Sequence, residues 1–130
     1  DLASDKTSFD VYGRDNILGT VSQSGGVPTG AIIERGSNAN GEYVKYADGT
    51  VICRTVRVIA DAGYKTIALP VSIAGDTFNT STFATTIPFD SAAANKIAIS
   101  AYLDTPTTVR LFWDTTSGNQ SFATVIGRWY

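Results

Sequence analysis

The stretch Gly41-Glu42-Tyr43-Val44-Lys45-Tyr46-Ala47-Asp48-Gly49-Thr50-Val51-Ile52-Cys53-Arg54-Thr55-Val56-Arg57-Val58-Ile59 decides the fold class. Two runs of β-branched and aromatic residues flank an Asp-Gly pair. That pair is the strongest short-range hairpin signal, because both central positions of the favoured two-residue turn need φ above zero. The spacing predicts strands over 41–47 and 50–59, joined at Asp48-Gly49.

Composition extends this reading to the whole chain. The 130 residues include 17 Thr, 11 Ser, 11 Ile and 10 Val, but only five Leu, four Lys and two Glu. Stiff β-branched side chains suit a pleated sheet and good helix formers are scarce, so the fold is expected to be all-β. Further strands are predicted over 64–73, 82–89, 96–104, 107–114 and 120–129, with turn signals at Gly75-Asp76, Ser91-Ala92, Thr105-Pro106 and Ser117-Gly118-Asn119. Turns every 8 to 12 residues or so mark an antiparallel β-sandwich or a barrel. The tract Ser91-Ala92-Ala93-Ala94-Asn95 has no apolar period and reads as a loop.

The first forty residues differ. Gly19, Gly25-Gly26, Pro28, Gly30, Gly36 and Ser37-Asn38-Ala39-Asn40-Gly41 interrupt each short apolar patch. Such a segment cannot bury a face alone, since ordering a residue costs about 1 to 2 kcal/mol. It must lean on the sandwich or on the same segment of sister chains. Residues 1–41 therefore read as a loop-rich lead-in or trimerisation segment, and 42–130 as the sandwich. The chain lacks Met, and Asp1-Leu2-Ala3-Ser4-Asp5 has no signal-peptide character, so it reads as a piece of a longer protein.

Several chemistries are disfavoured. Ten Asp and two Glu against ten Lys plus Arg give a net charge of −2, with no visible basic stripe for nucleic acid. No apolar run approaches the roughly 20 residues that cross a bilayer as a helix. Histidine is absent, which removes histidine-dependent triads and histidine-ligated zinc. Cys53 is alone, and with no imidazole beside it the expected role is packing. There is no P-loop, dinucleotide fingerprint or nucleophile elbow.

Two motifs carry a resemblance. The stretch from Gly30 to Thr50, containing Asn38-Ala39-Asn40-Gly41-Glu42-Tyr43-Val44-Lys45-Tyr46-Ala47-Asp48-Gly49, resembles the "NANGxYVRFADGTxIC" segment of phage tail-fibre and tailspike tips. The terminal Ile126-Gly127-Arg128-Trp129-Tyr130 is similar to the "AIGRW" ending of the same group. The resemblance implies a C-terminal module like H-type lectins, a six-stranded antiparallel β-sandwich that trimerises and recognises glycans. It further implies a receptor-binding tip on a phage or phage-like particle. The implied partners are a host cell-surface polysaccharide or glycan, two sister subunits, and the rest of the fibre or spike. Some metal-stabilised trimers of this type use histidine, which this chain lacks, so neither metal nor cofactor is expected.

Period-two alternation nominates a site. In 96–104 it sends Ile97, Ile99, Ala101 and Leu103 to one face and Tyr102 and Asp104 to the other; in 107–114 it buries Val109, Leu111 and Trp113 and leaves Arg110, Phe112 and Asp114 opposite. Pairing through Thr105-Pro106 would cluster Tyr102, Asp104, Arg110, Phe112 and Asp114. Aromatic faces suit the C–H patches of sugars, and carboxylate and guanidinium groups suit their hydroxyls. The same face also suits a subunit interface, where Phe, Tyr and Arg are enriched. Two other readings stand beside the glycan binder: a trimerisation collar without ligand, and a polysaccharide depolymerase, which needs two carboxylates about 5 to 10 Å apart. Arg128, Trp129 and Tyr130 are expected to close the sandwich or enter the interface.

Overall fold

A computed structural model describes residues 11–61, 63–75, 81–87, 99–113 and 119–130. Among these the chain is all-β, and its paired strands run antiparallel. In order they are β1 (Gln23–Ser24), β2 (Val27–Pro28), β3 (Ile33–Asn38), β4 (Gly41–Tyr46), β5 (Thr50–Thr55), β6 (Val58–Ile59), β7 (Tyr64–Ala68), β8 (Ser81–Ile87), β9 (Ile99–Thr105), β10 (Thr108–Trp113) and β11 (Gln120–Arg128). Residues 88–98 and 114–118, with the expected loop at 91–95 and the site residue Asp114, lie outside the description.

The predicted hairpin forms as β4 and β5, with Lys45 opposite Val51 and Gly41 opposite Thr55. Its turn is wider than a two-residue one. The Gly49 N–H donates to the Tyr46 carbonyl at 3.0 Å, which places Ala47 and Asp48 at the centre of the turn, and Gly49 takes the positive φ of 97°. Asp48 Oδ1 then accepts from the Thr50 N–H at 2.9 Å, and this bond holds the carboxyl below its ordinary range. Ahead of this hairpin, β3 pairs β4 from Ile33↔Tyr46 to Asn38↔Gly41, with Ala39-Asn40 as the turn. The Asn-rich interruption is therefore the bend of a second hairpin.

Two sheets pack face to face in a sandwich-like body. The larger runs β3-β4-β5-β11-β6, with β8 on the other edge of β11; the smaller runs β7-β10-β9. The run 50–59 is nearly one strand, but it carries one extra residue between β5 and β6. Thr124 lies opposite Arg54, whereas Ser121 lies opposite Val58, so the register slips by one. At that slip the buried Thr55 hydroxyl accepts from the Ala123 N–H at 3.0 Å, supplying a bond the ladder lacks.

The core lies between the sheets. Val51, Cys53, Ala123 and Val125 from the larger sheet meet Ile67, Leu103, Val109, Leu111 and Trp113 from the smaller. This is the alternation read from the sequence, with Leu103, Val109, Leu111 and Trp113 inward. Cys53 is buried, and burial pushes its thiol up to about 11. Trp113 Nε1 donates to the Ser121 hydroxyl at 3.0 Å, which satisfies the indole within the core.

Candidate functional site

Register builds the outer face of the smaller sheet. Arg110 stands opposite Thr66 of β7 and Tyr102 of β9, and Phe112 stands opposite Tyr64 and Ser100. Because Val109, Leu111 and Trp113 point inward, Arg110 and Phe112 point out.

Three aromatic rings form one band. Phe112 lies 5.8 Å from Tyr64 at 35° and 5.8 Å from Tyr102 at 15°. Both distances fall within the range of favourable aromatic pairing. Tyr64 is 56% exposed and Tyr102 42%, so the band is a surface and not a core extension.

A charged pair crosses the band. Arg110 donates from Nη2 to Asp104 Oδ2 at 3.3 Å and from Nε to Thr66 Oγ1 at 3.3 Å. Its guanidinium lies 5.3 Å from the Tyr64 ring centre and 6.0 Å from that of Tyr102. The Tyr102 hydroxyl donates to Asp104 Oδ1 at 3.3 Å, so each carboxylate oxygen has a partner. A bulge positions Asp104: between Thr108↔Thr105 and Val109↔Leu103 the ladder advances one residue on β10 and two on β9, leaving Asp104 unpaired. Bulges re-aim side chains in this way.

The arrangement offers apolar ring faces beside a guanidinium and a carboxylate whose positions are already fixed. Fixed polar groups lose less entropy when a ligand hydroxyl arrives. Of the five residues nominated from sequence, Tyr102, Asp104, Arg110 and Phe112 come together, and Asp114 lies outside the described residues. Tyr64 and Thr66 belong to the cluster and were missed. Alternation puts them on one face of β7, but no local signal tells which strand β7 joins.

The terminal aromatics do a different job. Trp129 Nε1 donates to the Tyr46 carbonyl at 2.7 Å and Arg128 Nη2 to the Asp48 carbonyl at 3.1 Å, tying β11 to the β4–β5 turn. Lys45 stands over the rings of Tyr43 and Trp129 and pairs with Glu34 at 3.8 Å. Tyr43 packs against the core and donates to Glu34; burial first, and Glu34 second, raise its phenol. Among the described residues no group of three or more Cys, Asp or Glu converges as metal ligands would, and the sequence has no histidine.

A concavity of about 500 Å³ lies on the outer face of the larger sheet, between Arg35, Glu42 and Arg54. No family model, curated protein or solved structure matches the chain.

Proposed function

We propose that the chain is the receptor-binding tip of a phage or phage-like fibre or spike, and that it attaches to a host cell-surface glycan through the outer face of β7, β10 and β9. In this reading the sandwich is H-type lectin-like and acts as a homotrimer, exposed outside the cell on the particle. One observation carries the binding role: Tyr64, half-buried Phe112 and Tyr102 form a continuous ring surface, exposed at both tyrosines and crossed by the Arg110–Asp104 pair. Sugars are held by that combination of ring face and fixed polar groups.

Self-association has its own support in the lead-in. Leu18 is 70% exposed and Val27 64%, and Val11, Tyr12 and Ile17 are also exposed. Apolar groups left uncovered within one chain mark a surface that meets another. The expected mass in solution is that of a trimer.

A glycan array probed with the intact protein, together with light scattering of the same sample, tests the reading. Binding to a restricted set of glycans by a trimer supports it. A trimer that binds no glycan points to the collar, and release of reducing ends from host polysaccharide points to a depolymerase. If Phe112→Ala dissociates the trimer, the band is a subunit contact.

A further inference from the structure

The outer face of β3, β4, β5 and β11 carries a second cluster that the aromatic band does not explain. Two cross-strand rows run over it. One is Arg35, Val44, Ile52 and Ile126; the next is Ser37, Glu42, Arg54 and Thr124. Between them lies the cavity of about 500 Å³, and a neighbouring one of about 400 Å³ shares Ser37, Glu42 and Arg54 and reaches Arg57. Three of the chain's six arginines thus line one groove in a protein of net charge −2.

Carboxylates neutralise only part of this charge. Among the described residues, Lys45, Lys65 and Arg110 each pair with a carboxylate, and Arg54 pairs with Glu42 at 3.4 Å. Arg35 and Arg57 have no carboxylate partner among those residues, and they flank Arg54 on either side of the groove. Arg54 is held in place by Glu42 and by the Phe122 ring, 5.6 Å from its guanidinium. It spends one hydrogen bond on Glu42, and a guanidinium has five N–H donors.

We infer that this groove is a second binding site, for the anionic group of an acidic polysaccharide, a carboxylate or phosphate carried on sugar or polyol. Arg35 and Arg57 supply unspent charge, and Arg54 supplies oriented donors of the kind that grip oxyanions in a fork. Val44 and Ile52 form an apolar floor for ring C–H groups. Ser37, Thr124 and Glu42 offer the mixed donors and acceptors that sugar hydroxyls need. Glu42 in the middle of the groove counts against a nucleic-acid backbone, which presents phosphates without a break. The inference does not rest on the aromatic band.

Titration calorimetry of the intact protein tests it with four probes: an oligogalacturonate, a glycerol-phosphate oligomer, a neutral oligosaccharide of equal length, and a short DNA duplex. The expected result is binding of one or both acidic probes, weakened by added salt and weakened about tenfold or more in the Arg35→Gln/Arg57→Gln double variant, as the loss of two nearby charges implies. The stronger of the two acidic probes identifies carboxylate or phosphate as the preferred group. Both substitutions are at exposed positions, so the melting temperature should hold and a lost signal should not mean unfolding. Equal binding of the neutral probe, unchanged binding by the double variant, or tighter binding of DNA overturns the inference. So does a change in association state in that variant, which would make the groove a contact between copies. Loss of acidic binding in Phe112→Ala with retention in the double variant would move the ligand to the aromatic band and also overturn it.

Discussion

The ring of Tyr102 stacks on that of Phe112 at 5.8 Å and 15°, although the two residues are not direct partners in the ladder. Phe112 is opposite Ser100, and Tyr102 reaches it diagonally from two residues along β9. A small residue at position 100 leaves the space that the tyrosine ring crosses.

Removing that ring should separate binding from folding. Phe112→Ala loses contacts with Tyr64 and Tyr102 on a half-exposed face, a cost of about 1 kcal/mol and a few degrees of melting temperature. Attachment to host cells should be abolished. Calorimetry and a cell-adsorption assay on one preparation measure both effects.

Asp104→Ala is expected to act on orientation. It removes the anchor of Arg110 and of the Tyr102 hydroxyl, yet a partly exposed ion pair contributes at most about 1 kcal/mol to stability. Glycan affinity should fall about tenfold while the unfolding midpoint moves little. Asp104→Asn, which keeps an acceptor for Tyr102, should fall between the two; equal affinity in all three proteins would show that the pair plays no part in recognition.

Trp113 tests the core assignment. Trp113→Phe keeps an aromatic but smaller side chain and removes the indole N–H that bonds Ser121, a loss of about 1 to 2 kcal/mol. Trp113→Ala should cost about 3 to 5 kcal/mol and leave little folded protein. Urea denaturation followed by tryptophan fluorescence and circular dichroism gives both values.

Cys53 predicts a response to alkali. Burial raises its thiol from an ordinary value of 9.0 to about 11, with a hydrogen bond from the Val125 backbone pulling weakly the other way. Between those values the unfolded chain loses the proton and the native chain keeps it, so stability falls as pH rises through the window. The stability of wild type relative to Cys53→Ala should shrink by roughly 2 to 3 kcal/mol from pH 8.5 to 11. Below pH 9 a disulfide-exchange reagent should label Cys53 only as fast as the protein opens.

What the sequence discloses depends on how far apart the partners lie. Alternation in Val109, Leu111 and Trp113 is local, and the Thr105-Pro106 turn brings β9 and β10 together across very few residues, so the Tyr102, Asp104, Arg110 and Phe112 cluster can be read directly. Tyr64 and Thr66 cannot be read this way: Arg110 meets Thr66 across 44 positions, and no turn residue specifies that pairing. Strand β3 is hidden for another reason. Gly36 looks like an interruption, yet the Tyr43 ring lies over it, where any side chain would collide. The arginine groove needs β3, β4 and β5 side by side, and only the outward parity of Arg54, between the buried Cys53 and Thr55, hints at it.

Strand β11 has a bearing on biogenesis. It follows every other strand in sequence, yet it is wedged between β5 and β8 and contributes Ala123 and Val125 to the interior. During synthesis the nascent chain can zip β3, β4 and β5 together early, since those hairpins are local, but the slot beside β5 stays open until residue 128 clears the ribosome. Until then the chain carries bare strand edges and an uncovered apolar layer, the state most prone to stick to its neighbours. Chaperone dependence in the cell, and insolubility of any product cut short before residue 120, would follow from topology alone.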